Sequence, residues 1–287
     1  MTDYPMKLGP VYKDTLWGGY RLSENYKLQR TRAAEAWLFA TRPNGINLIR
    51  NGEMKGQLIA SYPAVGWRCP ILVKLIDAGD CLSIQVHPDK TEMWVVLECD
   101  PGSTLLYGLK GEYEEKSFRE ALGNGTVESL LNKVPVHPGD VFFVPPGLVH
   151  SIGKGILVAE IQQNSDETYR LYDYGRLYHG KPRYLKVEAG LEVLKNFSAE
   201  EIDALRFERG RGDENTLANC SHFRVDRLKV DGTAVISAGD PFSSVICIDG
   251  SGTIGGEEIE WGNSYLLPHG CGDVVLEGKL EVLITTR

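Results

Sequence analysis

Apolar side chains recur at every second position, or in short β-branched and aromatic runs, through much of the chain. The stretches ILVKLIDAG, LSIQVHP, EMWVVLEC, STLLYGL, VFFVPPG and GILVAEIQQ all have this character, and Gly, Pro, Asp and Asn punctuate them. In an extended backbone, successive side chains point to opposite faces, so each stretch reads as a short strand; their spacing predicts a mainly β fold, a sandwich or a barrel. Two segments follow the helical period instead. YEEKSFREALGNGTVESLLNKV has apolar residues three and four apart, broken at Gly123 and Gly125, and predicts a small helical insertion near residues 112–133. SAEEIDALRF opens with Ser198 and places Glu201 three residues on, the pairing that caps a helix start reciprocally.

Part of the middle of the chain returns near its end. GDVFFVPPG (Gly139 to Gly147) and GNSYLLPHG (Gly262 to Gly270) share Gly, five residues, Pro, one residue, Gly. Both fit a turn, a buried strand and a second turn. The expected organisation is therefore two β-domains of related build, residues 1–195 and 196–287, joined around 190 to 205. The second carries only His222 and His269 and reads as structural.

Composition narrows the partners. With 42% hydrophobic and 24% charged residues over 287 positions, the chain has the make-up of a soluble globular protein. No apolar run approaches the roughly 18 residues that span a bilayer, which argues against a membrane partner. MTDYPMKLGPVYK lacks the basic-then-apolar pattern of a secretory leader, so the expected location is cytoplasmic. A net charge of −8 argues against nucleic acid, but a few cations in a cleft hold a small anion whatever the total. Six scattered cysteines read as reduced fillers, neither disulfides nor a thiolate zinc site.

The chemistry concentrates in LSIQVHPDKTEMW, Leu82 to Trp94. Residues two apart on a strand share a face, so Ser83, Gln85 and His87 project together. Pro88 and Asp89 end the strand, Glu92 returns on its neighbour, and His150 follows a turn at Pro145, Pro146 and Gly147. An amide oxygen, two imidazoles and a carboxylate suit a borderline divalent ion, zinc before magnesium, because hard ions want more oxygens. Any one of these residues alone is more simply a satisfied core side chain. Together they fall into Gly79-x5-Gln85-x-His87-x4-Glu92 and Gly139-x5-Pro145-x-Gly147-x2-His150, which resembles the two-part signature of the cupin superfamily with Gln in place of its first His.

LSIQVHP, KTEMW, VPPGLVHSI and SDETYRLYDYGR, with LWGGYRL and AEAWLFA before them, resemble type I mannose-6-phosphate isomerase in its compact bacterial form, over about residues 8 to 190. The resemblance implies two cupin-like β-barrel or jelly-roll domains, the second degenerate, and one Zn2+ per chain on Gln85, His87, Glu92 and His150. It further implies an active-site arginine at Arg170, a phosphate side at Ser83 and Lys74, and a cleft lysine at Lys90. The implied substrate is a sugar phosphate, with mannose 6-phosphate and fructose 6-phosphate interconverted by proton transfer through an enediolate. One departure stands out: many relatives insert a loop between HPD and KTE, whereas HPDKTE is continuous here, which bears on Lys90 and on the cleft mouth. Lys154, where many cupins have Asn, is a lesser one.

Moving a proton between two carbons beside a carbonyl builds negative charge on oxygen, which zinc and Arg170 suit. The base stays open among a zinc-bound hydroxide, Lys90, Glu160 and Asp173, the first two ranked ahead. Two other readings compete: a non-catalytic sugar-phosphate sensor that keeps the metal cupin, and an iron or manganese cupin with oxidative chemistry. Arg170 and the full ligand set weigh against the first, and Gln85 as first ligand against the second.

Overall fold

In the computed structural model, which describes residues 3–29, 32–207 and 215–287, all six alternating stretches are strands: Ile71–Ala78, Ile84–Val86, Glu92–Cys99, Thr104–Leu109, Val141–Val144 and Ile156–Gln163. They sort onto two antiparallel sheets. The smaller runs Leu131–Pro135, Thr104–Leu109, His150–Ile152, Ile84–Val86, Tyr169–Tyr172. The larger runs Arg206–Phe207, Val141–Val144, Glu92–Cys99, Ile156–Gln163, Ile71–Ala78, Glu35–Phe39, Val11–Lys13. Each pairing path has two ends, and no closed barrel is found among the described residues. Of the two architectures that alternation allows, the layered one is present: Ile76, Trp94, Val96 and Val158 of the larger sheet pack on Leu105, Tyr107 and Ile152 of the smaller.

The larger sheet is covered on its other face too. Val73, Leu75, Met93, Val95, Ala159 and Ile161 pack with Phe223, Phe242, Ile246 and Leu283 of a third sheet, and Phe39 stacks on Phe242 at 5.4 Å. Burial on both sides explains why its central strands read as nearly unbroken apolar runs. The third sheet is built mainly from Thr216–Asn219, Arg224–Ser237, Phe242–Ile254, Ser264–Pro268 and Asp273–Thr286. Two strands from the opening residues complete it: Met6–Gly9 pairs with Ser264–Pro268 on one side and with Leu48–Ile49 on the other. No helix of the described residues is long and apolar enough to cross a membrane.

The repeat seen in sequence is a repeat of backbone. Gly139 (φ 97°) donates its N–H to Val96 O at 2.7 Å, and Gly262 (φ 77°) donates to Cys247 O at 2.8 Å. In both copies the strand that follows pairs with the strand carrying that carbonyl.

The helical insertion needs correction. The helix is Glu115–Asn124, with Phe118 and Ala121 buried; it runs through Gly123 and stops at Gly125, which takes the left-handed conformation at φ 72°. Beyond it Val127–Leu130 is a single 3-10 turn, and Leu131–Pro135 is the edge strand of the smaller sheet, so the helical reading to residue 133 extends too far. The apolar positions there serve a period of two because Thr104–Leu109 supplies a partner. Ser198 caps the helix Ala199–Ala204 as expected: Glu201 N–H donates to its hydroxyl at 3.2 Å, and its own N–H donates to Glu201 Oε2 at 2.7 Å.

Candidate metal centre and active site

One face of each packed sheet turns from apolar to polar along its length, and the two polar ends meet. In the smaller sheet His150 lies directly opposite Gln85, and Gln85 opposite Arg170. Cross-strand partners share a face, so these three form a row. In the larger sheet Trp94 lies opposite Glu160, and Glu160 opposite Lys74. The rows confront each other, with the Trp94 and His150 rings edge to face at 5.3 Å. His87 follows directly after the strand end, and Glu92 begins the next strand, on the other sheet.

His87, Glu92 and His150 each offer one ligand atom, all within 4.8 Å of one another, and all three side chains are buried. His87 Nδ1 lies 2.9 Å from Glu167 O, and His150 Nδ1 lies 2.9 Å from Leu148 O. A carbonyl only accepts, so both Nδ1 atoms carry the proton and both Nε2 atoms present a lone pair to the centre. Glu92 Oε1 is 3.3 Å from His87 Nε2, and Glu92 Oε2 is 3.9 Å from His150 Nε2. His87 Nε2 and Glu92 Oε2 are buried with no hydrogen-bond partner. Burial and the Lys90 charge lower the His87 pKa, while burial and His87 lower that of His150 to about 3. Burial works to raise the Glu92 carboxyl, but Lys90, His87 and His150 hold it well below the carboxylate range. Neutral imidazoles beside a carboxylate, with orphaned buried atoms converging, fit a divalent cation.

Gln85 borders this centre. Its Nε2 is 3.3 Å from His150 Nε2, and its Oε1 accepts from Ser83 Oγ at 3.2 Å. Exchanging the two ends of the amide brings the oxygen toward the point where the His150 and His87 lone pairs converge. Lys90, buried, is paired with Glu92 Oε1. A cavity of about 300 Å³ opens above the centre, and Ser83, Gln85, Lys90, Glu92, His150, Lys74 and Arg170 all line it, as does Glu160. His87 stands behind this wall. The sequence-derived residues therefore converge on one place.

Lys74 is not free within the cavity: Glu160 Oε1 lies 3.1 Å from its Nζ and Glu35 Oε2 3.9 Å. Burial opposes its charge, yet Glu160, Glu35 and Glu92 outweigh that and raise its pKa. Glu160 also accepts from Trp94 Nε1 at 3.1 Å; burial and the Glu92 charge, opposed by Lys74, raise its pKa to about 7. Asp173 lies outside the cavity lining, gripped by Arg183 and Arg176 at 2.6 and 2.7 Å. Burial would raise its carboxyl, but those two guanidiniums lower it. Burial and Arg183 lower the Arg170 pKa, with Asp173 opposing. Sequence reasoning missed Arg183, Tyr178 and Glu35 in the lining. Glu35 had a signal, since it opens the quoted Glu-x-Trp stretch; Arg183 and Tyr178 sit beyond any motif.

Known proteins resemble this chain in sequence and fold. Residues 6–106 match the family described as phosphomannose isomerase type I, catalytic domain, and residues 213–286 match mannose-6-phosphate isomerase, cupin domain. Mannose-6-phosphate isomerase ManA of Bacillus subtilis is 35% identical, with 99% of each chain covered. The chain belongs to the type I mannose-6-phosphate isomerase family. A mannose-6-phosphate isomerase of Streptococcus mutans is 31% identical over 97% of each chain. The crystal structure of mannose 6-phosphate isomerase from Bacillus subtilis superposes with a TM-score of 0.88, at 28% identity and 99% coverage of both chains. The likeness to this family thus runs the full length of the chain, beyond residues 8 to 190.

Proposed function

We propose that the protein is a zinc-dependent aldose–ketose isomerase interconverting mannose 6-phosphate and fructose 6-phosphate, its ion held by His87, Glu92, His150 and the Gln85 amide oxygen. The observation that carries this reading is the buried convergence of two ring lone pairs and a carboxylate at the floor of a charged cavity, in a chain of this family. A bound zinc ion supplies Lewis-acid polarisation of the sugar carbonyl. The chain's own residues do the rest. Glu160, with a pKa of about 7, is the base the geometry favours for moving a proton between C2 and C1, aligned by Trp94 Nε1 and Lys74. Arg170 places fixed positive charge where the enediolate oxygen develops negative charge. Lys90, ranked as a base from sequence, is committed to Glu92, and we assign it the task of holding that carboxylate in its ligating pose.

The phosphate needs an end of the cavity with surplus positive charge. Arg183 and Arg176 both pair with Asp173, Arg176 also pairs with Asp80 at 3.2 Å, and Arg170 lies nearby, so three guanidiniums face two carboxylates there. Ser83 adds a hydroxyl to the lining. Lys74 faces two carboxylates, which favours a role as the partner of Glu160 over a phosphate contact. We also read residues 1–195 as the metal-binding cupin unit and 196–287 as a degenerate copy; the matched glycine turns at Gly139 and Gly262 support this.

A coupled assay for fructose 6-phosphate, with metal analysis of the same sample, tests the proposal. Turnover that tracks about one zinc per chain is expected. Tight binding of mannose 6-phosphate without any fructose 6-phosphate would instead identify a sensor.

A further inference from the structure

A second cavity, of about 450 Å³, lies where residues 41–43, 67–70 and 163–165 meet Ser221, His222 and Arg287. We propose that it binds a phosphate monoester of sugar or nucleotide size, and that the occupant loosens His87 by drawing Arg42 away from Asp166. Arg42, Arg68, Arg287 and His222 line it. Asp166, held by Arg42 Nη2 at 2.6 Å, is the carboxylate paired with this group among the described residues; Arg68 and Arg287 have no carboxylate partner there. A chain of net charge −8 thus gathers three guanidiniums at one concavity, against the Asp166 carboxylate and the α-carboxylate borne by Arg287 itself, which leaves it net cationic. Guanidinium forks match phosphate oxygens, and the volume is that of a small-molecule site. Trp67, 59% exposed on the rim, offers a flat face to a ring. Two buried lining atoms, Arg42 Nε and Asn164 Oδ1, lack hydrogen-bond partners.

The wall of this cavity is also the bracket of the metal centre. Arg42 Nη1 donates to Asn164 O at 2.9 Å. Gln163 is locked to Thr91, its N–H donating to Thr91 O at 3.0 Å and its Oε1 accepting from Thr91 N at 2.7 Å. Three residues past Asn164, the Glu167 carbonyl holds the His87 ring. A dianion that competes for the Arg42 guanidinium releases Asp166, and with it the segment that fixes His87. This path differs from the catalytic cavity, whose cationic end is built from Arg170 and Arg183.

Calorimetric titration of the zinc-loaded protein with AMP and with orthophosphate tests the site. In an Arg68→Ala/Arg287→Ala variant, AMP affinity is expected to fall about tenfold or more; both residues are exposed, so the melting temperature should stay put. Trp67→Ala should weaken AMP but not orthophosphate. Unchanged AMP affinity in the double variant, or loss of AMP binding in Arg183→Ala, overturns the assignment, and equal affinity for both probes overturns the part played by Trp67. AMP at a concentration that just fills the parent site should also speed zinc release to a chelator at least about threefold in the parent, and less in the double variant, whose site is then mostly empty. Equal release with and without AMP sinks the coupling. None of these readouts needs isomerase turnover, so they stand apart from the test of the catalytic reading.

Discussion

At His87 and His150 the same device occurs twice: a backbone carbonyl takes the Nδ1 proton and leaves Nε2 bare. Because both imidazoles are held neutral, protonating them opposes the native state. Their pKa values are lowered in the fold, so in metal-free protein their contribution is intact above about pH 6.5 and is lost progressively as pH falls below it. In a Glu160→Gln background, which removes the opposing proton uptake of that carboxyl, urea denaturation in the presence of a chelator should show stability falling as pH drops from 6.5 to 5, with His150 contributing a slope approaching about 1.36 kcal/mol per pH unit and His87 adding to it. A flat profile there would mean that the rings are already charged. Glu160 makes an opposite demand. As a base it works when ionised, so kcat should rise through about pH 7, and Glu160→Gln should cost about 10²- to 10⁴-fold in kcat with KM little moved. Lys74→Met separates the two roles considered for that lysine. As the partner of Glu160 its loss pushes the rising limb of the pH profile upward, whereas a phosphate contact would raise KM and leave the limb in place. The meeting of His87, Glu92 and His150 was legible in sequence because QVH, TE and the turn before His150 keep fixed spacings. Arg183 and the Glu160–Lys74 pair were not, because cross-strand register and the folding back of residues 173–183 have no local signature.

Among the elements, the helix Glu115–Asn124 offers a paired test. Gly123 has helical φ and open space around the position of a Cβ, while Gly125 closes the helix at φ 72°. Gly123→Ala should stabilise by about 0.5–1 kcal/mol, and Gly125→Ala should destabilise by about 1–2 kcal/mol, both read as shifted urea midpoints at constant slope. Sequence reasoning treated the two glycines alike because composition does not reveal φ. Strands fared better. The central strands of the larger sheet are buried on both faces, which writes apolar residues into most of their positions. Lys74 and Glu160 stand out in apolar strands for that reason.

Across the whole molecule, the proposed ligands come from both packed sheets: Gln85 and His150 from the smaller, Glu92 from the larger. An ion held there ties the layers together, so its binding adds to stability by mass action. Zinc at a hundredfold excess over its Kd should add about 2.7 kcal/mol and raise Tm, and His150→Ala should abolish that response together with zinc retention on gel filtration. An unchanged zinc effect in this variant would place the ion elsewhere. The mainly β fold was legible from strand spacing, which left sandwich and barrel open; the way Met6–Gly9 reaches the third sheet was not, since no pattern within four residues names a partner so far along the chain.

That reach has a consequence for synthesis. Met6–Gly9 leaves the ribosome long before its neighbour Ser264–Pro268. The nascent protein therefore carries an apolar strand with one flank unsatisfied until that neighbour is made, a ready template for pairing with another copy. Deleting residues 1–9 would bare the edge of Ser264–Pro268 in the finished molecule, and the damage would surface as aggregation far in sequence from the cut.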